Sequence, residues 1–367
     1  MPRGSLRTRI TAGLGMSALA VAGAVAASPS RPVAVGVHPV AAQHSVARHP
    51  SGVVITAIGD LILGNTPTLP AQPRRYLRPL RAALTDHANI VFANLEGVLT
   101  NRTANKCGGS SGGNCFTFRN PPSFAHVFAD VGFTVLNSAN NHSHDYFSGG
   151  AADTTAAIAT THMTQVGVKG RRPVVHAAGR RVAILAYAPY NETPNLHDPA
   201  HAARQIRAAK KHADIVIVYM HAGAEGSAAD HVTGHEEYAF GEDRGNPKAF
   251  AHRAIRAGAS LVIASGPHVL RGMEFYRGHL IAYSLGDSAS YHNFNTDGTL
   301  SRSVVLRVTL GPHGRFRSGR LTSVRLVDHG RPVLGGDSIA FVRQLSKDDF
   351  GSHAARLSHN GTIRQPA

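Results

Sequence analysis

With 367 residues, 43% of them hydrophobic, the chain can bury one large core or two modest ones, and it is too apolar to be a disordered segment. A net charge of +16 favours polyanionic partners, yet the basic residues are dispersed and no zinc-finger or RNA-recognition signature is present, so nucleic acid is not an expected partner. Tryptophan is absent, which excludes a tryptophan-lined sugar groove.

In chain order, Arg3, Arg7 and Arg9 precede the apolar run Ile10 to Ala27, which holds the small-residue site Ala24-Val25-Ala26. This is the layout of a secretory signal peptide over residues 1–27, with an uncleaved membrane anchor as the rival reading. Either reading makes the protein secreted or cell-surface. Residues 28–51, rich in Pro, Ala, Val and His, read as a flexible linker, and the folded domain is expected over 52–345. Short β-branched runs then read as strands: Val53 to Gly59, Ile90 to Ala93, Phe133 to Leu136, Ile215 to Met220 and Leu261 to Ala264. Helical stretches at 77–87, 122–131, 150–162, 199–212 and 246–257 alternate with them, which is the α/β pattern. Cys107 and Cys115 flank a Gly-rich loop soon after Glu96; in an exported chain they read as a disulfide that shapes the rim of a site. Further strands are expected at 182–186, and at 272–276 and 280–283, the last two as a hairpin around Arg277-Gly278. Two more, at 303–310 and 321–327, are expected to close a second sheet. His231 and His235 read as a solvated helical face, and the polar tail 346–367 is expected to fray from Asp348.

Each of the five runs ends in a potential metal ligand: Asp60; Asn94 and Glu96; Asn140, Asn141 and His142; His221; and His268. In open α/β sheets, ligands gather outside the carboxyl ends of the strands. If the five strands share one sheet, these groups converge, and Asp, Glu, Asn and neutral His suit a hard or borderline divalent metal. Other readings exist for each residue. Asp60 also fits a helix N-cap, Glu96 a turn carboxylate, Asn140 and Asn141 turn formers, and the histidines core positions.

The ordered series Gly59-Asp60, Asn94-Leu95-Glu96-Gly97, Asn140-Asn141-His142, Asp145, His221 with Glu225, Gly266-Pro267-His268-Val269 and Tyr283-Ser284-Leu285-Gly286 resembles the bacterial capsule-synthesis CapA family. That family is associated with poly-γ-glutamate capsules and is similar to calcineurin-like metallophosphoesterases. The resemblance implies a four-layer α/β/β/α sandwich with one or two divalent ions (Mn, Zn or Fe) at strand ends. It implies Asp60, Glu96, Asn141, His142, His221 and His268 as ligands, and His142, Asp145 and Glu225 as candidate catalytic residues. His144 and Asp145 would support His142, and Glu225 would support His221. The implied partners are an anionic polymer such as poly-γ-glutamate and membrane synthase subunits. Departures are visible. Leu61-Ile62 stands where the metallophosphoesterases place the second half of Asp-x-His, and Gly266-Pro267-His268-Val269 holds one histidine rather than two. Asp287 replaces a usual Asn, either as an added ligand or at the rim, and Ala222 replaces an aromatic, which would open the pocket. Three functions fit: a capsule or polyglutamate factor, a secreted metal-dependent phosphoesterase or related hydrolase, and a non-catalytic polyanion-binding protein.

Overall fold

The computed structural model describes residues 52–108 and 115–367. The signal peptide expected over 1–27 and the linker over 28–51 lie outside the described residues. The chain first lays down β1 (Val53–Ile62), then α1 (Pro73–Leu77) and α2 (Arg81–Thr85), followed by β2 (Ile90–Leu95), α3 (Phe124–Val131), β3 (Val135–Asn137), α4 (Phe147–Ala159) and β4 (Thr164–Val166). The single helix expected over 77–87 is instead two short segments around a 3₁₀ turn at Arg78–Leu80, where Pro79 supplies no backbone donor. Strands β1 to β4 are parallel neighbours.

A second sheet is built from β5 (Val174–Ala177), β6 (Arg180–Tyr187), α5 (Pro199–His212), β7 (Ile215–His221), α6 (Pro247–Ala257), β8 (Leu261–Ser265), β9 (Met273–Tyr276) and β10 (His279–Ala282). Its strand order is β9-β10-β8-β7-β6-β5, with β9 and β10 as the expected hairpin. Helix α5 starts where sequence chemistry places it: Pro199 takes the first turn and the Asp198 side chain accepts the His201 N–H at 2.8 Å. Helix α6 repeats the device with Asn246 and Pro247 and stops at Gly258, whose φ is +113°.

The remaining strands return to the first sheet: β11 (Asp287–Ser290), β12 (Arg302–Leu310), β13 (Phe316–Val327), β14 (Arg331–Leu334) and, after α7 (Ser338–Phe350), β15 (Arg356–Leu357) and β16 (Thr362–Arg364). One condition fails and two expectations are corrected here. The five ligand-bearing strands do not share one sheet; β1, β2 and β3 lie in the first and β7 and β8 in the second. Strands β12 and β13 extend the first sheet through an antiparallel β1–β12 pairing rather than closing the second. The tail does not fray: α7 runs through Phe350 and β16 pairs with β13, burying Leu357 and Ile363.

The two sheets pack face to face. Alternate residues of β1 (Val53, Ile55, Ala57) meet Ile184, Ile217, Tyr219 and Ile263 of the other sheet in the central core. The outer faces bury against helices: Ile58, Val91 and Leu136 against Leu77, Leu84 and Phe128, and Val216, Val218 and Val262 against Ile206, Phe250 and Ala254. The result is the four-layer α/β/β/α sandwich. Strands covered on both faces read as unbroken apolar runs rather than alternating ones.

Candidate metal centre

Although the strands divide between two sheets, their carboxyl ends meet. In the first sheet, Asp60 is the register partner of Asn94 on one side and of Asp287 on the other. In the second, His221 is the register partner of Ser265, and His268 follows at the next turn. The approach depends on glycine. A Cβ on Gly59 would lie 2.0 Å from the Gly286 carbonyl oxygen, the atom that accepts the Asp60 N–H at 3.0 Å. Gly266 has φ +117°, and a Cβ there would lie 3.1 Å from the Ala222 nitrogen and 3.3 Å from the His221 ring. His268 holds φ +60°, a left-handed conformation that costs energy for any residue with a Cβ and marks a position held by its surroundings.

Asp60 ties the sheets together. One carboxylate oxygen accepts hydrogen bonds from Asn94 Nδ2 at 2.7 Å and from the Ser265 hydroxyl, and the other accepts the Gly266 N–H at 3.0 Å. Asn94 is held in turn by Asn137 and Asn140, whose amides donate to its Oδ1 at 2.7 and 2.9 Å. The Tyr219 hydroxyl bonds to Ser265. Ligand atoms of Asp60, Glu96, His268 and Asp287 all lie within 4.8 Å of one another, and all four residues are buried. His221 joins them, with Nε2 3.6 Å from Glu96 Oε1, and Glu225 Oε2 lies 3.7 Å from His268 Nε2. Asp287 is therefore in the cluster, not at its rim; its Oδ1 takes the Nδ1 of His268 at 2.8 Å, which leaves His268 Nε2 turned toward Glu96.

A cavity of about 540 Å³ opens beside this cluster, lined by His268, His142, Asn141 and Glu225 together with Phe118 and Phe294. His142 is braced by Asp145: Nδ1 lies 2.8 Å from Oδ2, an atom that also accepts the Phe118 N–H at 2.7 Å. Asp145 can only accept, so Nδ1 carries the proton and Nε2 keeps a lone pair. Lys106 pairs with Asp145 Oδ1 at 2.8 Å, Cys107 is disulfide-bonded to Cys115, and Lys106 and Cys115 both line the cavity, so the bridge stands at its rim. Other supporting roles differ from expectation. His144 meets the Ser143 hydroxyl rather than His142. Glu225 pairs with Arg244 at 2.5 Å and faces His268, not His221. Ala222 packs into the outer core and does not widen the cavity. His231 lies in a loop, bonded to Asp349, and not on a helix. Asn137, Ser265, Tyr219 and Arg244 were not foreseen. Asn137 and Ser265 end apolar runs and carried the same signal as Asp60, whereas the short hairpin of Glu237–Ala239 and Glu242–Gly245 that holds Arg244 carried none.

The electrostatics call for a cation. Burial pushes the Asp60 carboxyl up to about 6, against the pull of His268. Burial and then the neighbouring Asp60 raise Glu96 well above its ordinary range, and burial raises Asp287. Burial followed by the Arg244 charge drives His221 far down, so it presents a neutral imidazole. Burial would lower His268 as well, but Glu96 and Asp287 outweigh it and raise it well above its ordinary range, so an ion at its Nε2 would take the place of a proton. Both Glu96 oxygens, His221 Nε2 and Asp287 Oδ2 are buried without a hydrogen-bond partner. Buried polar atoms are ordinarily satisfied, so this carboxylate–imidazole set fits a divalent ion of the hard or borderline kind. The two departures from the two-metal pattern persist in three dimensions, since Ile62 and Val269 are buried apolar side chains.

The chain is 30% identical over 244 residues to the PGA biosynthesis protein CapA of Bacillus subtilis (strain 168), a match covering 60% of this chain and 59% of that protein. It is 32% identical over 180 residues to the capsule biosynthesis protein CapA of Bacillus anthracis, covering 43% of this chain and 40% of that one. The chain thus spans about half the length of these relatives. Among solved structures it is similar to a putative 5'-nucleotidase from Staphylococcus aureus, with a TM-score of 0.45 and 12% identity over 80% of this chain and 58% of the other. The model of the bacterial capsule synthesis protein PGA_cap matches residues 54–292, a stretch that contains Asp60, Glu96, His221, His268 and Asp287. By that match, which takes in well over half of its length, the protein belongs to the bacterial capsule synthesis family PGA_cap.

Proposed function

We propose that this is an exported CapA-like protein that acts in the synthesis of poly-γ-glutamate or a related cell-surface polymer through a divalent-metal site at the strand ends. The observation that carries this reading is the buried group of Asp60, Glu96, His268 and Asp287, with unpartnered Glu96 oxygens and His221 Nε2, beside a cavity of about 540 Å³. Glu96, His221, His268 and Asp60 would hold the ion, with Asp287 fixing the His268 ring and Asn141 reaching in from the cavity wall. When bound, a divalent ion supplies Lewis-acid activation of a substrate oxygen, whether of a γ-amide carbonyl or a phosphoester.

The chain's own residues supply the rest. Burial keeps His142 below the ordinary histidine range, so its Nε2 is free to take a proton and return it to a leaving group. Asp145 fixes the tautomer and ring orientation through Nδ1. Glu225, clamped by Arg244, presents its second oxygen to His268. Phe118 and Phe294, in edge contact with each other, give the cavity an apolar wall against the rings of His142 and His268. The same His142–Asp145 pair also supports a second reading, a metal-dependent phosphoester hydrolase.

Gene replacement in the producing cell tests the first reading. Loss of the protein should lower cell-associated anionic polymer, with restoration by the wild type and not by Glu96→Gln or His142→Ala. Undiminished surface polymer in its absence would refute it.

A further inference from the structure

We propose that an anionic polymer draws its binding affinity from an arginine-lined pocket at the opposite pole of the sandwich from the strand-end site, and that the ligand of this pocket is a polycarboxylate chain. This deepens the polymer reading above and rests on it for the identity of the anion; the site itself rests on geometry.

A cavity of about 700 Å³ is lined by Arg277, Arg315, Arg317 and Arg364 together with His279 and His313, and by no acidic residue. Its walls come from both sheets: Arg277 and His279 from the β9–β10 hairpin, Arg315 and Arg317 from the β12–β13 turn and the start of β13, and Arg364 from β16. The polarity of the strands places it. The β12–β13 turn follows Leu310, whose register partner is Val53 at the start of β1, seven positions before Asp60. His279 Nδ1 lies 3.1 Å from the carbonyl oxygen of Ser260, just before β8 begins, whereas Ser265 and His268 lie at its end. At about 3.3 Å per residue, the pocket is roughly 20 Å from the metal centre.

The charges divide in the same way. At the strand-end cavity the cations are already neutralised, Lys106 by Asp145 and Arg244 by Glu225 and Glu242. At the far pole, among the described residues, none of the four guanidiniums lies within ion-pair distance of a carboxylate. A polyanion entering the first cavity would have to displace internal partners, while in the second it meets unpaired guanidiniums of the geometry that binds carboxylates bidentately. Strand ends and tight turns fix the backbone that carries these exposed side chains, so only the side chains need order on binding.

The test is binding of fluorescent poly-γ-glutamate to the full-length, metal-loaded protein. The triple variant Arg315→Ala/Arg317→Ala/Arg364→Ala should bind about tenfold more weakly, the order expected when three exposed charge contacts are lost, with metal content and thermal midpoint unchanged. A variant with the same loss of charge elsewhere, Arg204→Ala/Arg207→Ala/Lys211→Ala on α5, should bind nearly as the wild type does. Equal weakening in both variants would mean diffuse attraction and overturn the local site, as would no weakening in the first. Tighter binding of polyphosphate than of poly-γ-glutamate would overturn the polycarboxylate assignment. Glu96→Gln separates this proposal from the metal reading: it should lose metal and keep polymer affinity. Affinity that falls with the metal would place the polymer at the strand ends and overturn the proposal.

Discussion

Replacing Glu96 by Gln should move stability in opposite directions with and without metal. Glu96 is fully buried, both oxygens lack a hydrogen-bond partner, and the like charges of Asp60, Asp287 and Glu225 oppose it against the single pull of His268. A buried carboxylate without hydrogen bonds in such company costs about 1–3 kcal/mol or more, and the isosteric amide removes the ionisable group without opening a cavity. The metal-free variant should therefore be more stable than the metal-free wild type by roughly 1–3 kcal/mol. For a folded body of this size, unfolding entropy makes each kcal/mol worth about 1.5 °C, so the midpoint should rise by about 2–4 °C. With metal, the order reverses. An ion at a thousand times its dissociation constant adds about 4.1 kcal/mol, or about 6 °C, to the wild type and nothing to a variant that cannot bind it. Thermal unfolding after chelation, and again with added manganese or zinc, reads both effects. A structural carboxylate would behave otherwise: its amide would lower the metal-free midpoint, and any metal-induced rise would persist. That pattern would refute the reasoning.

Other expectations follow from particular contacts. Gly59→Ala must push back the Gly286 carbonyl and break its bond to Asp60, so urea unfolding should show a loss of about 2–4 kcal/mol; a loss under 0.5 kcal/mol would contradict the close approach. Ile363→Ala should cost about 2–4 kcal/mol because the side chain lies in the inter-sheet core, whereas a frayed tail would show almost no change. Burial alone would raise the Glu274 carboxyl, but hydrogen bonds from His252 and Tyr283 outweigh it and hold it below 4.5. A folded-state value below the unfolded one adds stability that is present above about pH 4.5 and lost as pH falls through the folded value. Glu274→Gln should accordingly flatten the acid limb of the stability curve below that pH and leave its shape unchanged above it; an unchanged acid limb would show that the carboxylate is not so held.

The strands were legible because burial on both faces writes them as continuous Val-, Ile- and Leu-rich runs, and because polar residues at their ends have few reasons to be there. Asp60, Glu96, His221 and His268 stood out on that ground. Which strands belong to which sheet was not legible: β1 and β7 are both fully buried runs rich in Val and Ile, and nothing local to either says which neighbours it pairs with. The destination of β12 was hidden for the same reason, since an alternating strand fits the edge of either sheet. The tail misled because it reads as polar from Asp348, whereas Asp349 turns inward to accept from His231 and the Val232 N–H, and the apolar residues that anchor the tail, Phe350, Leu357 and Ile363, are widely spaced. Glu225 was noticed through its nearness in sequence to His221, but its partner Arg244 arrives on a hairpin 19 positions later, and a pairing of that kind depends on loop geometry.

Metal content tests the central claim most directly. Full-length protein purified without added chelator, measured by mass spectrometry beside Glu96→Gln and His221→Ala, should carry about one to two divalent ions per chain, lost in both variants while they remain folded. A folded, metal-free wild type whose unfolding is unmoved by manganese, zinc or iron would contradict the account.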